Sequence, residues 1–318
     1  MNTKTQALAA AQAAWPHLAR IAGRLAADYR LSALSARAEA EGRMRVVALA
    51  EAGEDRVILK FRVNGETEAA QRMAEAHRSA ARALADLPGY AAPEVLAFDP
   101  ASGALLLSWV NGVTLQDAVS DGQVWVPDIV PHVGRWMAAL HRRGDTDHVP
   151  FNGAWMLRRL DQMAAKGVPA TSRFAACRTA LGQVADQLHD APVHRAVIHG
   201  DLKLGNLMWD GQVMTGIDFE NEGLHPVCRD AAMVLCDCII WAPTGMPLTN
   251  DVMTAFADGL GADVVDRDML RFFIALRLLQ IWARTPARAI DRVGRKAHVW
   301  RRVRDAAQQI LFEGEGGR

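Results

Sequence analysis

IHGDLKLGNLMW, residues 198–209, places His199, Asp201, Lys203 and Asn206 within eight positions of an otherwise apolar segment. Buried neighbours on both sides of such polar residues describe a loop whose functional side chains are held in fixed places. Asp201 and Asn206 are five apart, and Gly205 gives the chain between them conformational freedom. A dozen residues after Asn206, GIDFE brings Asp218 to the end of a short β-prone run. A carboxylate and an amide oxygen from separate strand ends can share one hard divalent cation. Mg²⁺ takes one or two such protein ligands and completes its shell from phosphate and water. Asp201 is then left to accept a proton from a hydroxyl nucleophile. Far upstream, Lys60 ends the run VILK and can meet phosphate oxygens, and a carboxylate on the following helix can hold it in place. A base, two metal ligands and a lysine with an acidic partner are the parts that phosphoryl transfer from a nucleotide requires.

Outward from that stretch the chain divides in texture. Residues 5–30 read as one or two helices with Pro16 at a boundary or kink. VVALA from Val46, EAGED, and RVILKF from Arg56 read as a β-hairpin whose second strand carries Lys60. Residues 65–86 form a helix, closed by LPGYAAP, and VLAFDP and ALLLSWV give two more strands. After Asn111 helices dominate, at 114–120, 128–143, 153–165, 172–190, 226–241, 250–259, 267–284 and 295–312; the β-rich interruption is 196–220. The pattern predicts an α+β chain with a small β-rich lobe over 1–108 and a larger, mainly helical lobe over 109–318.

HGDLKLGN at 199–206 followed by IDFE at 217–220 resembles the catalytic loop and metal-binding aspartate of the aminoglycoside phosphotransferase and choline kinase superfamily, a branch of the protein-kinase-like fold. The resemblance spans roughly residues 30–290: VILK looks like its nucleotide-binding strand, LLLSWVNG at 105–112 like the last N-lobe strand and hinge, and WMAALH at 136–141 like its LA-LH helix. It implies a bilobal kinase-like fold and the use of ATP and Mg²⁺. It also implies roles: Asp201 as base, Asn206 and Asp218 as metal ligands, and Lys60 on the α/β-phosphates. Glu75 is the implied helix partner of Lys60, with Glu68 as the alternative. The main chain at Ser108, Trp109 and Val110 would bind adenine, His199 would orient the loop, and Lys203 would stabilise charge on the transferred phosphoryl group. Asp230, in PVCRD, resembles a scaffold aspartate. The sequence departs from the family over 36–47, where the loop covering the phosphates holds only Gly42 and no glycine-rich pattern.

Composition limits the partners. The 318 residues balance 36 Lys and Arg against 36 Asp and Glu, so no global field draws the chain to nucleic acid or an anionic membrane. Asp237 and Arg277 interrupt the longest apolar stretches, and no membrane span is expected. Cys177, Cys228, Cys236 and Cys238 lack the paired spacing of a zinc site and read as buried thiols of a cytoplasmic protein. His189, His194 and His199 do not share a helical face and so do not read as a metal site. The expected activity is transfer of the ATP γ-phosphate to a hydroxyl of a small molecule: an aminoglycoside, an amino alcohol or a sugar. Glu220 and Glu222, just past the metal aspartate, suggest an acidic rim suited to a cationic acceptor. The alternative is a non-catalytic nucleotide-binding or interaction module, which the full set of Lys60, Asp201, Asn206 and Asp218 argues against.

Overall fold

The structure, a computed structural model, describes residues 3–23, 29–39, 41, 43–167, 172–243, 250–261, 264–285 and 295–313. The chain opens with α1 (Thr3–Ile21), β1 (Arg30–Ala38), β2 (Met44–Ala52), β3 (Asp55–Val63), α2 (Thr67–Leu84), β4 (Tyr90–Ala91), β5 (Val95–Asp99) and β6 (Ala104–Ser108). It continues with β7 (Val113–Thr114), α3 (Leu115–Ser120), α4 (Val126–His141), β8 (Asp147–Pro150), α5 (Ala154–Gly167), α6 (Ser172–Gln187) and β9 (Pro192–Ile198). A 3₁₀ turn (Leu204–Asn206) leads to β10 (Leu207–Trp209), β11 (Met214–Gly216) and β12 (Gly223–Pro226). The remaining helices are α7 (Cys228–Trp241), α8 (Asn250–Leu260), α9 (Arg267–Ala283) and α10 (Arg295–Gln308). Two compact units result: Met1–Gly112 with Asp210–Glu220, and Val113–Trp209 with Asn221–Arg318. Among the described residues no helix is long and apolar enough to cross a membrane.

The first unit is built on an antiparallel sheet of order β1-β2-β3-β6-β5. Side chains alternate faces along a strand, and the sheet uses both. Val46, Ala48, Leu59, Phe61 and Leu106 pack with Ala7, Ala11 and Leu18 of α1. Leu105 and Leu107 pack instead with Ala74 of α2. Helix α1 runs through Pro16 without ending there. Its buried residues lie on both sides of the proline, so sheet packing holds both halves despite the missing N–H. Strand β1 falls where the helix reading ended and the phosphate loop was expected to begin. Its sequence, RLSALSARA, is poor in β-branched residues, and pairing with β2 supplies the order. The connection from β1 to β2 carries Glu39, Glu41 and Arg43; Gly42 lies outside the described residues.

The second unit is mainly helical, with a small antiparallel sheet of order β12-β9-β8 and the short pair β7–β10. Strand β9 delivers the chain to the 199–206 loop and β10 carries it away. Helix α7 lies behind that loop. It is buried along nearly its whole length, Asp230 included, and packs on α9. All four cysteines are free and buried.

Candidate active site

The 199–206 loop is anchored through its own backbone. Asp230, at the start of α7, is fully buried; its carboxylate accepts the N–H of His199 (2.7 Å) and of Gly200 (3.1 Å). Two helical turns further on, Asp237 accepts the N–H of Leu204 at 3.1 Å. One helix thus grips the loop at both ends through carboxylates seven residues apart, on one face of α7. Gly200 sits at φ +81°, and a Cβ there would collide with the carbonyl of Asn221, so the loop admits only glycine at that position. Leu202, Leu204 and Leu207 are fully buried and seat the loop in the core, with Asn206 buried among them.

The polar residues then meet one another. The Asn206 side-chain N–H₂ donates to the Asp201 carbonyl (2.9 Å) and to its carboxylate (3.4 Å). Lys203 Nζ donates to the same carboxylate oxygen at 2.9 Å. His199 is buried with its ring 6.4 Å from that of Trp136, and its Nδ1 accepts the Asp201 N–H at 3.4 Å. The Asp201 side chain keeps about a third of its surface exposed (32%), whereas Asn206 is buried. The loop therefore presents the Asp201 carboxylate partly accessible and paired with Lys203.

Burial pushes the Asp230 carboxyl up to about 7, against the pull of the His199 and Gly200 N–H groups. It pushes Asp237 up to about 6, opposed by the Leu204 N–H, Arg277 and Lys203. A raised carboxyl pKa means the folded chain holds its proton more tightly than the unfolded chain. The Asp237 contribution to stability is therefore greatest below about pH 4, falls as pH rises to about 6, and is level above that. Unfolding free energies from urea titrations between pH 4 and pH 7 should fall in the native chain relative to Asp237→Asn, by on the order of 2 kcal/mol. Parallel midpoints would contradict the assignment.

In the first unit, Lys60 lies on the α2 side of the sheet, opposite Leu59 and Phe61, and is nearly buried. Its ammonium contacts the Asp218 carboxylate and lies 2.5 Å from Glu220 Oε1. Arg62, two residues along β3, and Arg45, its register partner on β2, both reach Glu220 as well, Arg62 at 3.2 Å. Burial disfavours ionised Asp218, but the charge and hydrogen bond of Lys60, with Arg45 beyond, outweigh it and hold the carboxyl well below the usual range. Asp218 has φ 73°, and Glu220 N–H donates to the Asp218 carbonyl at 2.9 Å, so the chain turns tightly here. Phe219, between the two acids, is buried edge-on against His77 of α2, with ring centroids 5.1 Å apart.

Two sequence expectations change. The Lys60–Glu75 pair is not formed: Glu75 is exposed and bonded to Arg82 at 2.6 Å. The alternative, Glu68, is also exposed and faces Arg72. The reason is helical phase, since α2 buries Ala74, His77, Ala80 and Leu84 and turns both acids away. The acidic rim is not present either, because Glu220 is enclosed by Lys60, Arg45 and Arg62, and Glu222 forms a buried ion pair with Arg143. At the hinge stretch, the Ser108 N–H is committed to the Glu94 carbonyl at 3.0 Å. Trp109 and Val110 lie past the end of β6, and the Arg56 guanidinium stands 5.6 Å from the Trp109 ring centroid. The roles of Arg45, Arg62 and Asp237 were not anticipated. For the arginines the signal was available: alternation puts Lys60 and Arg62 on one face of β3.

The chain belongs to the phosphotransferase enzyme family, whose sequence profile matches residues 33–273. The fold is the kinase-like one. Among solved structures it is similar to a choline/ethanolamine kinase family protein from Mesorhizobium loti, at 17% identity over 94% of each chain with a TM-score of 0.60. It is similar to a microcompartment-associated aminopropanol kinase, at 18% identity over 98% of this chain and 99% of that one, TM-score 0.59. A glucosamine kinase in complex with glucosamine, ADP and inorganic phosphate matches at 16% identity over 94% and 85%, TM-score 0.59. A search of curated protein sequences returns no significant match.

Proposed function

We propose that this chain is a cytoplasmic small-molecule kinase that transfers the γ-phosphoryl group of ATP to a hydroxyl of a small, amine-bearing acceptor. The observation that carries this reading is the Asp201 carboxylate, accessible on a loop that α7 clamps at both ends. The acceptor O–H gives its proton to Asp201 while its oxygen bonds to the γ-phosphorus. The bond from that phosphorus to the bridging oxygen breaks, and ADP leaves. His199 and Asn206 orient Asp201, and Lys203 stabilises charge on the transferred group. Lys60 meets the α/β-phosphates, and the main chain at Trp109 and Val110 takes the adenine.

The residues present fit Mg²⁺. Asp218 offers a carboxylate whose ionised form is strongly favoured, and Asn206 has its N–H₂ committed to Asp201, which leaves the amide oxygen as its donor to a cation. Asn206 and Asp218 would hold the ion, which when bound neutralises phosphate charge. Among the described residues no three His, Cys, Asp or Glu side chains cluster to hold a metal. A two-ligand set suits a cation that draws the rest of its shell from phosphate and water. Amine-bearing acceptors are supported by the similar structures, whose names give choline or ethanolamine, aminopropanol and glucosamine. With both rim glutamates neutralised, the acidic-rim argument no longer contributes.

Thermal melts test the nucleotide half of the reading. Mg-ATP should raise the melting temperature of the native chain and have little effect on Asp218→Ala. An equal response in both would remove Asp218 from the metal site, and no response in either would remove the nucleotide reading.

A further inference from the structure

The lysine that meets the phosphates needs a carboxylate to hold it, and α2 does not provide one. Its two acids, Glu68 and Glu75, face solvent and arginines, and its buried positions are Ala74, Ala76, His77, Ala80 and Leu84. Asp218 touches Lys60, but a metal bound at Asp218 would compete for the same oxygens. Glu220, two residues on, is not among the residues assigned to the metal. Its side chain is 6% exposed, and both its oxygens face cations: Oε1 meets Lys60, and Oε2 meets Arg62 and Arg45.

We propose that Glu220 is the positioning residue for Lys60, supplying from the D-F-E turn the carboxylate that the following helix lacks. The proposal rests on the reading of Lys60 as the phosphate-contacting lysine. The backbone explains how the turn does this. With Asp218 at positive φ and the 218–220 hydrogen bond closing the turn, the carboxylates at i and i+2 both reach Lys60 while Phe219 anchors against His77. Helix α2 therefore supports the lysine indirectly, through an aromatic contact with the turn. The same carboxylate also holds Arg45 and Arg62, which stand opposite one another on β2 and β3. The two arginines fix one oxygen of that carboxylate, with Glu39 also within 3.7 Å of each of them, while its other oxygen faces Lys60. This is how a chain whose 36–47 segment is poor in glycine can still present a phosphate contact: through a lysine on the sheet that a side chain of the D-F-E turn holds in place.

The test is ADP affinity by calorimetry, with EDTA and with Mg²⁺, for the native chain, Glu220→Gln, Glu220→Asp, Glu75→Gln, Lys60→Ala and the double variant Lys60→Ala/Glu220→Gln. Glu220→Gln should weaken ADP binding about tenfold or more in both conditions. Glu220→Asp should recover most of that loss, which also guards against a folding defect, and Glu75→Gln should bind like the native chain. The double variant should bind no more weakly than Lys60→Ala alone, because Glu220 acts through Lys60. Three results would overturn the proposal: a loss confined to Mg²⁺, which would make Glu220 a metal ligand; an equal loss in Glu75→Gln; or additive losses in the double variant. A readout independent of nucleotide is also available. The chain has five lysines (Lys4, Lys60, Lys166, Lys203 and Lys296), so ¹³C-methylated lysine signals are few and Lys60 can be assigned by its disappearance in Lys60→Arg. That signal should move in Glu220→Gln and stay in Glu75→Gln. A native chain that binds no ADP would refute the kinase reading, while the Lys60 signal would still decide the pairing.

Discussion

Replacing Asp201 with asparagine should lower turnover by about 10²–10⁴-fold while the chain stays folded and still binds nucleotide. The side chain is partly exposed, and its neighbours Lys203 and Asn206 can both donate to an amide oxygen, so little in the loop need rearrange. What is lost is the proton acceptor. Without it the hydroxyl must attack while still protonated, or give its proton to water, and only positioning and charge stabilisation remain. The loss should fall on kcat, with KM for ATP changed little, because the nucleotide contacts lie at other residues. Initial rates over a range of ATP concentrations, with the ADP dissociation constant measured alongside, check this. Native kcat in the variant would mean that Asp201 is not the base.

Replacing Asp230 with alanine should cost roughly 2–5 kcal/mol of unfolding free energy. The change strips the acceptor from the N–H groups of His199 and Gly200, at a site with no solvent access to replace it. A buried carboxylate carries its own desolvation cost, which is why its pKa is pushed up to about 7, and part of the loss is offset when the charge goes. The unpaired donors dominate, because each buried N–H left without a partner costs about 1–3 kcal/mol. Asp230→Asn should fall between the two, since one amide oxygen can still accept while the amide nitrogen faces donors. Urea unfolding followed by tryptophan fluorescence measures all three proteins. Turnover should drop with stability, because the same contacts hold the segment that carries Asp201. A variant as stable as the native chain would show that α7 does not clamp the loop.

The parts of this structure legible in the sequence are those in which local pattern and tertiary packing agree. Helices α3 to α9 lie within two or three residues of the extents read from the sequence. The hairpin of β2 and β3 combines β-prone runs with a Gly-containing turn. The 198–209 stretch is legible as an anchored polar loop, because its acid and amide stand among leucines that the structure buries. Other features depend on pairing across long sequence distances. Strand β1 is ordered by its neighbour and has little strand propensity of its own. Strand β8, DHVP, is four residues long and paired to β9 in the structure, too short for its alternation to register. Pro16 reads as a boundary or kink, and of the two it is not a boundary: α1 continues through it with buried residues on both sides.

The partner of Lys60 shows the same division within the site. Glu75 is the acid a kinase-like helix would offer, and the resemblance points there. Helical phase points away from it: at about 100° per residue, Glu75 lies far round the helix from the buried His77 and beside Arg78 and Arg82. Glu220 is 160 residues from Lys60 in sequence, so nothing local connects them. Only the fold, by bringing the D-F-E turn to the sheet, makes that contact.

The central claim is that this chain phosphorylates a small amine-bearing alcohol through Asp201. ADP release with Mg-ATP, measured across a panel of amino alcohols, amino sugars, aminoglycosides and amine-free sugars with Asp201→Asn alongside, tests it most directly. One amine-bearing class should raise turnover well above the acceptor-free rate, with a phosphorylated product detected by mass, and the variant should abolish that rise. Turnover that favours amine-free sugars, or that survives in Asp201→Asn, would contradict the account.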